Sequence, residues 1–213
     1  HSAAGAYLAP ALKRPNVRLR TGVMVEKIGF EGRKATEVHI DVGGKKEILK
    51  AGREIILSAG AINSPQILQL SGVGPAKLLR EHGITVLADA PNVGGNLQDH
   101  LGLNYYFRAT EPTLNDQLRP LIGRAMAALR YSLTRRGPLA LSVNQCGGFF
   151  RSHPGQQHPD QQIYFNPVSY TTTPSGTRNV VKPDPFSGFI IGYQPARPTS
   201  RGRIDIKSSD PTA

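Results

Sequence analysis

Apolar residues follow two different rhythms at the start of the chain. In residues 3–12 Ala, Tyr and Leu recur at helical spacing, and Pro15 cannot continue the ladder, so a helix is predicted to end near Lys13. From Val17 the period drops to two. Val17, Leu19, Thr21, Val23 and Val25 alternate with Arg18, Arg20 and Met24, predicting a half-buried strand that Ile28 and Phe30 extend to a turn at Glu31-Gly32-Arg33. Residues 35–42 and 46–50 predict two more strands around Gly43-Gly44, closing a small antiparallel meander.

Residues 54–58 are nearly all apolar, the pattern of a strand covered on both faces. They end in the small-residue turn Ala59-Gly60-Ala61, where a missing or minimal side chain lets a ligand approach the backbone. Ser64 reads as an N-cap with Pro65 at the first helical position. That helix stops at Ser71-Gly72-Val73-Gly74-Pro75, and residues 76–81 form another before Gly83. A strand, a glycine turn and a helix N-terminus make either a packing crossover or an anion or dinucleotide site. The chain holds no GxGxxG, and both readings stay open. Residues 92–100 are a glycine- and Asn-rich loop. Asp99 and His100 are read there as loop residues that satisfy local amides, not as a catalytic dyad.

After residue 101 the pattern changes. Strands are predicted over 103–107, 147–150, 161–168, 189–194 and 202–207, with an amphipathic helix over 120–133. The expected class is α+β, with an α/β part bearing the meander in residues 1–100 and an antiparallel-sheet domain in residues 101–213. His153 and His158, around Pro154-Gly155, read as a solvated turn; no metal site is expected.

Composition narrows the function. The 213 residues contain no apolar window long enough to span a membrane. Cys146 is the only cysteine, which excludes an internal disulfide and fits a reducing, cytoplasmic compartment, with peripheral membrane attachment left open. The formal charge is +11, yet basic and acidic residues number 10 and 5 in residues 1–50, 3 and 4 in 51–100, and 13 and 6 in 101–213. That dispersion, without interleaved aromatics, argues against nucleic acid as a partner.

The stretch Gly60-Ala61-Ile62-Asn63-Ser64-Pro65-Gln66-Ile67-Leu68-Gln69-Leu70-Ser71-Gly72-Val73-Gly74 resembles, position by position, the second signature of the glucose-methanol-choline (GMC) flavin oxidoreductases. Ala6-Tyr7-Leu8, Val23-Met24-Val25, Val93-Gly94-Gly95-Asn96-Leu97-Gln98-Asp99-His100 and Pro198-Thr199-Ser200-Arg201-Gly202 extend the resemblance in order, closest to the choline dehydrogenase-like branch. It implies FAD as cofactor and oxidation of a small-molecule alcohol by hydride transfer to the flavin; it names no electron acceptor. It further implies that residues 1–100 belong to the FAD-binding part. Val25 would offer its backbone to the adenine, Ala59, Gly60 and Ala61 would lie against the cofactor, and Asn96, Asp99 and His100 would pack near the flavin. Residues 101–213 would belong to the substrate part, with Gln145, Phe149, Tyr164 and Asn166 as substrate-binding candidates.

Members of the family are longer, opening with a GxGxxG segment and closing with a segment that carries a catalytic His. The chain therefore reads as an internal piece, with no catalytic residue of its own and little turnover expected from it alone. Choline-specific members resemble it around Gly147-Gly148-Phe149 but carry a glutamate two residues earlier, where this chain has Gln145. A neutral amide gives a buried quaternary cation no charge partner, so an uncharged alcohol is the expected substrate. A cage of Phe149, Phe150, Tyr164 and Phe165 is the other way to hold such a cation. The rival reading of the whole chain is a non-catalytic basic module for an anionic polymer or membrane surface.

Overall fold

The computed structural model describes residues 2–142, 144–171 and 182–213, with only the backbone at Thr171. The chain divides into two compact units: residues up to Leu97 together with Arg201–Ala213, and Gln98–Ser200. The last thirteen residues thus pack with the first unit, apart from the rest of residues 101–213.

In the first unit a π-helical turn, Ala4–Leu8, runs into α1 (Ala9–Ala11), and the chain leaves the helix before Pro15 as the sequence predicts. Strands β1 (Met24–Glu31), β2 (Lys34–Val42) and β3 (Lys45–Lys50) form an antiparallel sheet in that order. Gly43 and Gly44 have φ of 61° and 90°, the paired positive values that a two-residue hairpin needs, and Asp41 Oδ1 accepts the Gly44 amide at 2.6 Å. Residues 17–23 are not a strand, contrary to their alternation. The pairing of β1 with β2 stops at Met24 and Asp41, and among the described residues no strand lies beside the earlier ones to take their backbone groups. Alternation marks a face but supplies no partner.

Residues 54–58 also differ from expectation. They join no sheet among the described residues, and Ile56 is 78% exposed. Helix α2 (Gly60–Leu70) begins at the glycine, earlier than predicted, with Ala59 as N-cap and Pro65 inside it. Ser64 serves the helix start from within, its hydroxyl accepting the Ala59 amide at 3.1 Å. Strand β4 (Val73–Gly74) pairs in parallel with β5 (Ala88–Asp89), flanking α3 (Ala76–Glu81). The core of this unit is Leu70, Leu79 and Ile206, against which Leu78, Ile84 and Val86 pack. Residues 202–207 are not the predicted strand; a single bridge, Leu97 to Gly202, is their only ladder contact among the described residues. The Ile204 amide donates to the Gly94 carbonyl at 2.8 Å, and side chains supply the other ties.

The second unit is a four-stranded antiparallel sheet ordered β6 (Leu103–Arg108), β11 (Gly188–Pro195), β8 (Gln161–Asn166), β7 (Cys146–Phe150). Phe107, Phe165 and Phe189 stack on one face, with centroids 5.1 and 5.5 Å apart. Between β6 and β7 run α4 (Leu114–Leu118), α5 (Leu121–Thr134) and a 3₁₀ turn at Pro138–Ala140. Thr113 and Asp116 form a capping box on α4. Asn115, fully buried, binds both the amide (3.0 Å) and the carbonyl (2.9 Å) of Ser169 and so ties α4 to the chain that follows β8. A short ladder, β9 (Tyr170–Thr171) with β10 (Lys182–Pro183), completes the unit.

Candidate functional site

In the first unit, α2 and the C-terminal segment enclose a cleft of about 670 Å³. Val23, Met24 and Val25 line one wall; Ala59, Ile62, Asn63 and Ile67 line a second; Ile204–Lys207 and Asp210–Ala213 line the third. Two sequence-predicted cofactor residues, Val25 and Ala59, therefore meet in one place. Gly60 follows Ala59 at the start of α2 with φ of 88°, a conformation for glycine, and a side chain there would meet nothing within 4 Å. With the Ala59 amide taken by Ser64, the following amides of the first helical turn have no partner within the helix. Ala61 is exposed beside them.

Two glutamines build this cleft, and sequence reasoning did not single them out. Gln66 and Gln69 sit three apart on α2 and so face the same way. Gln66 Nε2 donates to the Pro211 carbonyl at 3.2 Å. Gln69, fully buried, donates from Nε2 to Val93 (3.3 Å) and Ile204 (3.1 Å) carbonyls, and its Oε1 accepts the Ile206 amide at 2.9 Å. One side chain thus joins three sequence segments. The readable signal was a polar residue on the helix face that carries Ile67 and Leu70, where only a fully bonded amide can be buried. Nearby, Arg203 grips Asp205 through two bonds of 3.1 and 3.0 Å, which raises the arginine's pKa. Asp210 accepts the Thr212 amide (2.8 Å) and hydroxyl (2.7 Å), which lower its carboxyl below the usual range.

Asn96 lies in the first unit, exposed, with an unusual φ of 58°. Asp99 and His100 fall in the second unit. Asp99 Oδ1 accepts the His100 amide at 2.8 Å, and the His100 ring reaches the Ala196 carbonyl at 3.2 Å. The two side chains satisfy backbone groups, as the loop reading expects.

The second unit has a cleft of its own, also about 670 Å³, walled by Leu114, Leu118, Leu139, Leu141 and Val168. Gln145 and Asn166 both line it. The Gln145 amide donates to the Phe165 carbonyl at 2.9 Å, so β7 and β8 deliver the two side chains together. Asn166 is 4% exposed and uses Oδ1 to accept the Val168 amide at 3.1 Å. Tyr164 shares the sheet face of Asn166, two residues on, and Phe149 shares it through its pairing with Gln162. Neither lines the cleft. The Tyr164 ring lies flat over Gly192, its partner on β11, while Phe149 is 63% exposed.

Residues 1–102 match the family described as GMC oxidoreductase. Over 211 residues the chain is 40% identical to the oxygen-dependent choline dehydrogenase of Brucella anthropi, covering 99% of this chain and 37% of that protein. The same-named protein of Rhizobium etli is 40% identical over 212 residues, again 37% of its length. Among solved structures, formate oxidase from Aspergillus oryzae RIB40 superposes with a TM-score of 0.77 at 25% identity, over 90% of this chain and 37% of that one. Pyridoxine 4-oxidase from Mesorbium loti superposes with a TM-score of 0.71 at 25% identity, over 98% and 36%. The fold is thus one shared by several oxidases, mixed α+β and part of a larger whole. Residues 1–102 thus carry the GMC oxidoreductase pattern, and the similarity to the choline dehydrogenases runs on through the rest of the chain. It spans 37% of the length of the curated relatives it matches. No helix of the described residues is long and apolar enough to cross a membrane.

Proposed function

We propose that this chain is part of an FAD-dependent oxidoreductase that oxidises an alcohol to an aldehyde or ketone, the first unit holding the cofactor and the second the substrate. The observation that carries it is the first unit's cleft, where Val25 and Ala59 meet beside the bare backbone of Gly60. The donor set fits the cofactor's chemistry. Apolar Val23, Val25, Ile62 and Ile204 suit a planar ring, and the amides at the start of α2 suit a phosphate. Ile62 is 62% exposed, an apolar surface that a bound nucleotide would cover.

Bound FAD supplies the hydride acceptor. The chain's own residues do the positioning. Gln66 and Gln69 fix the third wall of the cleft against α2, and the turn at Ala59, Gly60 and Ala61 sets how closely a ring can approach. Asn96, Asp99 and His100 are proposed to pack near the flavin. Gln145 and Asn166 are proposed to hold the substrate, with Tyr164 and Phe149 further along the same sheet. The base that takes the hydroxyl proton is not assigned to this chain. Choline and pyridoxine, in the names of relatives, are both alcohols, which supports the reaction class. Cations paired with carboxylates, such as Arg20 with Glu47 at 2.9 Å, support this reading over a basic binding module. The exposed, single thiol of Cys146 supports a cytoplasmic setting.

Titration of the chain with FAD, followed by amide NMR shifts, tests the assignment. Shifts are expected at Val25 and at Ala59 to Ala61. In Gly60→Val, a β-branched residue forced to positive φ costs about 1–2 kcal/mol and fills the approach, so binding should weaken about tenfold or more. Shifts confined to other residues, or none at millimolar FAD, would refute the cofactor assignment.

A further inference from the structure

We propose that the cleft of the second unit takes an alcohol whose apolar body carries an anionic group such as a carboxylate, and that it excludes quaternary ammonium substrates. The inference rests on the reading of the second unit as the substrate part. Among the described residues no Asp or Glu lines this cleft, whereas Arg119, Arg124 and Lys182 all do. Arg119 is already committed: it donates to the Pro185 carbonyl and lies 3.9 Å from Asp116. The side chains of Arg124 and Lys182 make no hydrogen bond or ion pair with a described residue, so their charges are available to an incoming group.

The polar groups inside agree with the charges at the rim. Asn166 spends its oxygen on Val168, which leaves its Nδ2 hydrogens, on a residue only 4% exposed, without a partner among the described residues. An amide donor left open in this way can serve a ligand oxygen and offers nothing to a cation. Gln145 stands beside it with a neutral amide. A trimethylammonium group would find leucine walls, two unpaired cations and no carboxylate. An anionic oxygen would find two cations and donors, and the leucines would cover a hydrocarbon body. The volume, about 670 Å³, suits a small aromatic or branched molecule. This direction of charge preference is opposite to the one in the names of the choline dehydrogenases that the chain matches at 40% identity.

Three probes of matched function and different charge decide it: 4-(hydroxymethyl)benzoate, benzyl alcohol and choline, titrated into the 213-residue chain by calorimetry in low salt, without FAD. The carboxylate is expected to bind about tenfold or more tighter than benzyl alcohol, with choline weakest, because exposed cations contribute modestly and are screened by salt. The double variant Arg124→Gln, Lys182→Gln should abolish that advantage while leaving benzyl alcohol binding unchanged. Choline binding as tightly as the carboxylate, or an advantage that persists in the double variant, overturns the proposal. Because no flavin is present, the outcomes separate. Selective carboxylate binding by a chain that ignores FAD would leave this cleft assignment standing and remove the cofactor assignment. FAD shifts at Val25 together with choline preference would do the reverse.

Discussion

Replacing Gln69 by Leu keeps the side-chain volume nearly constant and deletes three hydrogen bonds, so it isolates what the amide contributes. In the native structure that side chain, fully buried, satisfies the Ile206 amide at 2.9 Å and the Ile204 and Val93 carbonyls at 3.1 and 3.3 Å. An orphaned buried N–H costs about 1–3 kcal/mol, and two weakened carbonyl contacts add about 0.5–1.5 kcal/mol each. The added apolar burial of Leu offsets about 1 kcal/mol. The net loss is about 1–5 kcal/mol, which corresponds to a drop of roughly 5- to 5,000-fold in protection against local opening. Native-state hydrogen exchange at Ile206 reads it directly, with urea unfolding as the global measure. Gly94→Ala attacks the same junction by another route. Gly94 has φ of 82°, and a Cβ there would run into the Ile204 carbonyl and come within 2.8 Å of Gln69 Nε2. Both variants should lose protection at Ile206 while β6, β8 and β11 keep theirs. Unchanged Ile206 exchange in Gln69→Leu would refute the argument that one buried amide anchors the C-terminal segment.

Two further outcomes follow from the second unit. A Cβ built at Gly192 falls inside the Tyr164 ring, so Gly192→Ala must displace that ring or open β8 from β11, costing about 1–3 kcal/mol; lower Tm and altered near-UV dichroism should report it, and a native spectrum at full Tm would contradict it. Asp160 accepts the Ser152 hydroxyl and amide, each at 2.7 Å, which lower its carboxyl from 3.8 to about 2. A depressed folded value means that its contribution is present above pH 3.8 and lost as pH falls towards 2, so amide protection at Ser152 should fall over that window and become pH-independent in Asp160→Asn.

Much of the local structure was legible in the residues. The strands at 34–42 and 45–50, the hairpin glycines, the helix at 121–134 and four of the later strands follow their periodicity to within a few residues. So does the loop role of Asp99, whose short polar side chain bonds the next amide, whereas the His100 ring meets the carbonyl of distant Ala196. The failures have one physical cause. Val17 to Val23 alternate and residues 54–58 are apolar, but a strand exists only where another strand takes its backbone groups, and periodicity does not say whether one does. Ser64 looked like a cap because Ser-Pro so often begins a helix; here the helix starts five residues sooner, at Gly60 with its positive φ.

The sequence by itself carried the family resemblance, in the unbroken run from Gly60 to Gly74, and most elements of both units. Only the tertiary structure decided which distant residues meet. The return of Arg201–Ala213 to the first unit hangs on Gln66 and Gln69, and Gln145 reaches Asn166 through β7 and β8. It also set the charge of the second cleft, since Arg124 and Lys182 are 58 positions apart in a chain whose basic residues are dispersed. Helix and strand periods are local properties of a few bonds, whereas a buried amide or an unpaired cation acquires its meaning from neighbours that arrive from elsewhere in the chain.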